Sequence, residues 1–129
     1  MKALLAAMPL VLAAAVLAAP PSPTPSAGER AYRKCYSCHA LEPGKNDLDG
    51  PSLYRVVGRR VAAEPGFAYS PAMRRFARSN PRWTPSLIDR LARDPEALVP
   101  GTSMNFHGMP DAAERAALLA YLRASPAGR

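Results

Sequence analysis

The sequence predicts an all-α domain of three to five short helices joined by long ordered loops. Fifteen prolines and eight glycines in 129 residues punctuate the chain too often for long elements. Runs rich in β-branched residues, which would signal strands, are few. Helix-start signals stand at Ser70-Pro71, at Thr84-Pro85 and at Asp111 with Glu114 three residues on.

From the N-terminus, Met1 and Lys2 precede an Ala/Leu-rich run from Ala3 to Ala19, broken only by Pro9, which is the pattern of a secretory signal peptide. Residues 1–18 are assigned to it, with small residues suiting a cut after Ala18 or after Ala15. The alternative is an uncleaved anchor, because about seventeen apolar residues reach the short end of what spans a bilayer. Residues 19–27, with PPSPTPS at Pro20–Ser26, read as an extended linker. The domain is placed at 28–125, with 126–129 as a tail. About 100 residues bury only some two-thirds of their surface, so a cofactor or staple is expected to complete the core.

Within the domain the first helix is expected from Gly28 to about Tyr36, followed by loops from Ala40 through Ala63. A second runs from Pro71 to about Arg78. The third places Leu87, Ile88, Leu91 and Ala92 on one face until Asp94-Pro95 ends or interrupts it. The last opens at Asp111 and reaches about Ala124, with Leu118, Tyr121 and Leu122 as its buried stripe.

The net charge of +7 comes from fourteen arginines and three lysines scattered along the chain. No nucleic-acid motif accompanies them, so the expected partners are an acidic protein or an anionic membrane surface.

Cys35-Tyr36-Ser37-Cys38-His39 has the C-x-x-C-H form of a c-type haem attachment site. Cys35 and Cys38 would form thioethers to one covalent haem c, and His39 would ligate its iron. The rival readings each lack a part: a thioredoxin-like pair wants a βαβ context, zinc wants a second ligand pair, and a disulfide this short closes no useful loop. The sixth iron position decides between electron transfer and chemistry on small molecules. Met73 reads as core filler on its helix, while Met104 and Met109 share the loop before the last helix and periodicity does not separate them.

Pro100-Gly101-Thr102-Ser103-Met104-Asn105-Phe106 resembles the methionine-ligand loop of the class I cytochromes c, of the mitochondrial cytochrome c and bacterial cytochrome c2 type, and Glu114–Leu122 resembles their C-terminal helix at matching spacing. The resemblance runs from Gly28 to Ala124. It implies a small cytochrome c fold wrapped around one haem, with Met104 as sixth ligand and Met109, in a Met-Pro pair, as the alternative. It also implies that Gly28 and Tyr32 pack on the last helix and that the Pro51 carbonyl orients His39. Arg59, Tyr69 and Trp83 would contact the haem propionates, with Thr102 near one of them.

Three departures accompany it. Leu91 and Met73 stand where the family has a tyrosine and an asparagine near the haem. About three residues are added between Tyr69 and Trp83, where Arg74, Arg75, Arg78 and Arg82 gather. The lysines that ring the haem edge are mostly replaced, by Glu96, Ser103 and Asp111 among others, with Lys34 kept.

The function implied is that of a one-electron carrier, not an enzyme, between redox proteins of a bacterial respiratory or photosynthetic chain. The chain would be a periplasmic monomer, or one tethered to the outer side of the inner membrane. A haem subunit dedicated to one dehydrogenase is the alternative, as is a peroxidase or gas-binding protein if the sixth position is open.

Overall fold

Ser26 opens the first helix, its hydroxyl accepting from Glu29 N–H at 3.1 Å. The computed structural model describes residues 25–125; the expected signal segment, most of the expected linker and the expected tail lie outside them. Five helices follow in order: α1 (Ala27–Tyr32), α2 (Pro71–Ser79), α3 (Pro85–Arg93), α4 (Pro95–Leu98) and α5 (Ala112–Ala124). The β-structure of the described residues is one isolated bridge between Arg60 and Arg82.

The starts of α2, α3 and α5 fall where their caps were read, with Ser70, Thr84 and Asp111 each accepting a backbone N–H three residues on. Asp94 ends α3 and also caps α4, accepting from Ala97 N–H at 3.0 Å. One boundary changes. The first helix stops at Tyr32 instead of Tyr36, because Lys34 and Cys35 bond back three residues, to Ala31 and Tyr32, and tighten the chain into turns through Cys38. Arg82 lies beyond α2, tied by its Nη1 to the Gly58 carbonyl at 3.0 Å.

α5 packs on α1 and α3, and α3 on α4. The α1–α5 crossing needs Gly28: a Cβ there would sit 2.5 Å from Tyr121 Cβ and 2.7 Å from the Ala117 carbonyl oxygen. Tyr32 and Tyr121 then stack at 5.6 Å, and Lys34 pairs with Glu114 at 2.6 Å. The buried core gathers Ala31, Val56, Val61, Trp83, Ile88, Met109, Leu118 and Leu122. Tyr121, expected in the buried stripe, is only half-buried; Arg115 takes a place on that stripe instead. α2 packs against no other described helix and meets the core through Phe76, whose ring lies 5.9 Å from that of Trp83.

Among the described residues no helix is long and apolar enough to cross a membrane.

Candidate functional site

The turns that replace the end of the first helix deliver Cys35, Cys38 and His39 to one side of the core. His39 N–H bonds Cys35 O at 2.9 Å, and the Tyr32 hydroxyl donates to the His39 carbonyl at 2.6 Å. The imidazole is then fixed from the opposite loop, with Nδ1 2.7 Å from the Pro51 carbonyl oxygen. A carbonyl only accepts, so Nδ1 carries the proton and Nε2 keeps its lone pair. Gly50 makes room for this ring: a Cβ there would lie 2.3 Å from His39 Cε1 and 2.7 Å from Nε2. Burial, with help from the positive Arg59, pushes the His39 pKa down against the opposing pull of the Pro51 bond, and so favours the neutral imidazole that a metal needs.

Two residues that the sequence reading passed over hold that opposite loop. Ser52, fully buried, donates to the Glu42 carbonyl at 2.6 Å and accepts from Tyr54 N–H. Asn46 accepts from Ser52 N–H at 2.8 Å and donates to the Pro65 carbonyl at 2.8 Å. Neither had a local signal beyond ordinary turn chemistry.

Cys35 and Cys38 are not joined to each other in a disulfide. Burial pushes the Cys35 thiol up to about 11, the reverse of what an activated thioredoxin-type nucleophile requires. Among the described residues no three His, Cys, Asp or Glu side chains converge as a metal site.

Arg59, Tyr69 and Trp83, the propionate contacts that the resemblance implies, lie together. Arg59 faces Glu64 at 3.4 Å, Glu64 N–H donates to the Tyr69 hydroxyl at 3.1 Å, and Trp83 N–H donates to the Arg59 carbonyl at 2.9 Å. Arg59 Nη1 also donates to the Tyr54 carbonyl, yet its Nε is buried without a partner. An orphaned guanidinium donor in a buried site is costly unless an acceptor is supplied. Thr102 is not joined to this group by any hydrogen bond; its hydroxyl accepts from Met104 N–H at 3.1 Å.

The two methionines separate. Met109 is 0% exposed, closed in by the core with its N–H on the Ala92 carbonyl at 2.8 Å. Met104 is only partly buried, as is Met73, while His107 is exposed. The stem of the loop is clamped by Arg115, another residue the sequence reading missed. Its Nε pairs with Asp89 at 2.8 Å, and its Nη1 donates to the carbonyls of Met109 and Pro110 at 2.9 and 2.8 Å. The available signal was its place three residues before Leu118 and seven before Leu122, a charge in an apolar stripe.

A neutral imidazole with a free Nε2, two adjacent thiols, a partly buried thioether and a guanidinium whose buried Nε lacks a partner are the donor set of a covalently held haem with acidic side groups. The residues present fit that group.

No family model matches the chain. It is 45% identical over 101 residues to the cytochrome c-type cyt cy of Rhodobacter capsulatus, covering 78% of this chain and 48% of that protein, so the chain spans about half the length of that relative. Cytochrome c2 of Rhodopila globiformis is 43% identical over 88 residues, covering 68% of this chain and 79% of the relative. The solved structure of cytochrome c2 from Rhodospirillum centenum aligns with a TM-score of 0.68 at 33% identity, over 74% of this chain and 92% of that one. With the fold and the donor set in agreement with these likenesses, the chain belongs to the class I c-type cytochromes of the c2 type, single-haem electron carriers that are not enzymes.

Proposed function

We propose that His39 and Met104 are the axial ligands of the haem iron, that Cys35 and Cys38 hold the haem by thioethers, and that the chain carries single electrons between redox proteins in the bacterial periplasm. The observation that carries the reading is the fixed imidazole: Pro51 sets its tautomer and Gly50 its clearance. When bound, haem c supplies a one-electron iron couple, which a neutral thioether and a dry site move to the oxidising side.

The chain's own part is to keep both ligands in place and to solvate charge. Complete enclosure of Met109 leaves its sulfur no open face, which favours Met104. Arg59, with its free Nε, is the first candidate to neutralise a propionate; Tyr69, Trp83 and Thr102 are the others. Export rests on the Ala3–Ala19 run alone, outside the described residues. N-terminal sequencing of the mature protein checks it, and size-exclusion chromatography checks that it is a monomer.

Met104→Ala should abolish the far-red sulfur-to-iron band of the oxidised protein, lower the potential and let carbon monoxide bind the reduced form. Met109→Ala should keep the band and instead lose about 2–5 kcal/mol of stability as a core truncation. The reverse pattern would exchange the two assignments. Intact mass under denaturing, reducing conditions should retain the haem; the mass of the bare chain would reject the thioethers.

A further inference from the structure

Charge is segregated along this chain. Between positions 55 and 82 there are seven arginines against one glutamate, whereas between 94 and 114, the segment that carries Met104, there are four carboxylates and no lysine or arginine. Lys34, beside the attachment motif, is paired with Glu114 at 2.6 Å. Glu96 sits at the base of the methionine loop, accepting from Gly101 N–H at 2.9 Å. The segment that carries Met104 therefore offers an acidic partner no attraction of its own.

The largest group of exposed arginines without an ion pair on one described helix lies on α2. Arg74, Arg75 and Arg78 are all exposed, none forms an ion pair with another described residue, and their positions place them within about 100° on one side of the helix. Arg82 is held to Gly58 and does not belong to this face. Beside Arg75, a groove of about 380 Å³ runs between α2 and Leu98–Pro100. Its floor is apolar, from Ala72, Phe76 and Val99, and its rim carries Ser79 and Asn80. None of the candidate haem contacts lines it.

We propose that this groove, with Arg75 on its edge and Arg74 and Arg78 on the adjoining face of α2, is the docking site for an acidic redox protein that inserts one apolar side chain between α2 and Leu98–Pro100. The inference rests on the electron-carrier reading and names its partner's surface. An apolar floor with a charged and amide rim is the anatomy of an interface anchor, where one side chain fills a slot and carboxylates around it meet the rim. A concave slot suits a protruding side chain better than the plane of a bilayer. Pro100 ends the groove four residues before Met104, so a protein seated there lies against the loop that holds the proposed ligand. The arginines act on encounter, and salt screens them over about 8 Å at physiological ionic strength.

The test uses the ¹⁵N-labelled holoprotein and three probes: a nonapeptide of eight glutamates around a central tryptophan, its all-glutamate counterpart, and vesicles of phosphatidylglycerol. The tryptophan peptide should shift the amides of Arg75, Phe76, Ser79, Asn80 and Leu98, and bind about tenfold tighter than the counterpart. Ser79→Phe, which fills the groove, should erase that difference, and Arg74→Gln/Arg75→Gln/Arg78→Gln should weaken both peptides about tenfold at low salt. Shifts centred on the Met104 loop, equal affinity of the two peptides, or an unaffected triple variant would overturn the proposal. So would vesicles that shift these amides when the peptides do not. The far-red band and electron exchange with hexaammineruthenium, recorded on the same samples, report on the carrier reading. Their loss breaks that reading, while their persistence with failed docking breaks only this one.

Discussion

The two sides of the site are held in different ways. On the His39 side, bonds from four directions converge: Pro51 on the ring, Tyr32 on the His39 carbonyl, Gly50 N–H on the Cys38 carbonyl at 2.8 Å, and Leu53 N–H on the Ala40 carbonyl at 2.8 Å. Ser52 and Asn46 brace the loop behind them. On the Met104 side the loop is pinned at its ends, by Val99 in the core and by Arg115 on the Met109 and Pro110 carbonyls, and the bonds at the methionine itself are local ones, its N–H on Thr102 and Phe106 N–H on its carbonyl at 3.0 Å. One side is a network in which any single bond is partly redundant; the other is a span on two anchors. Such a span opens at lower free energy than the rest of the fold.

The comparison breaks most completely at Gly50. Gly50→Ala puts a methyl group into the His39 ring, backed by a loop that Ser52 and Asn46 keep from moving, and should cost about 3 kcal/mol or more. Chemical denaturation of the holoprotein measures it, and the yield of attached haem should fall with it. A loss below about 1 kcal/mol would mean that the His39 side yields easily, contrary to its dense bonding.

Arg115→Leu comes next, at about 2–3 kcal/mol, because the carbonyls of Met109 and Pro110 lose their shared donor. Its signature is local. The far-red band should disappear at a lower denaturant concentration than the haem environment on the His39 side, and external imidazole should bind more readily than in the unaltered protein. If both signals move together, the two sides unfold as one unit.

What was legible in the sequence follows the range of the interactions involved. The caps of α2, α3 and α5 depend on residues three positions apart, and Ser70, Thr84 and Asp111 were found where they act. The grouping of Arg59, Tyr69 and Trp83 came from resemblance; nothing local marks Glu64 as the residue that joins two of them. The end of α1 was misjudged because nothing in Arg33–Tyr36 breaks a helix; the loop contacts of Cys38 and His39 impose the tighter turns. Arg115 was missed because its partner Asp89 lies 26 residues away on α3. Ser52 and Asn46 bind carbonyls across the loop, which no periodicity announces.

The smallest effect expected is that of Tyr32→Phe, and it tests redundancy on the His39 side. The phenol gives one hydrogen bond to the His39 carbonyl, so its removal near neutral pH should cost about 1 kcal/mol and leave the far-red band in place. The pH dependence is the sharper reading. Burial first, then the negative charge of Glu42, pushes the Tyr32 pKa from 10.0 up to about 12, with lesser contributions from Tyr121 and Cys35. Cys35 ranks last among these causes, so its thioether bond in the holoprotein leaves the direction unchanged. The unfolded chain releases this proton near 10 and the folded one near 12, so the unfolded state gains as pH rises between them. The stability due to the neutral phenol is complete below pH 10 and lost as pH climbs through about 12. Tyr32→Phe carries no such proton, and the gap between it and the unaltered protein should therefore narrow in that window. Denaturation midpoints at a series of pH values measure the gap; if it stays constant from pH 9 to 12, the phenol does not sit in the buried environment that its bond to His39 implies.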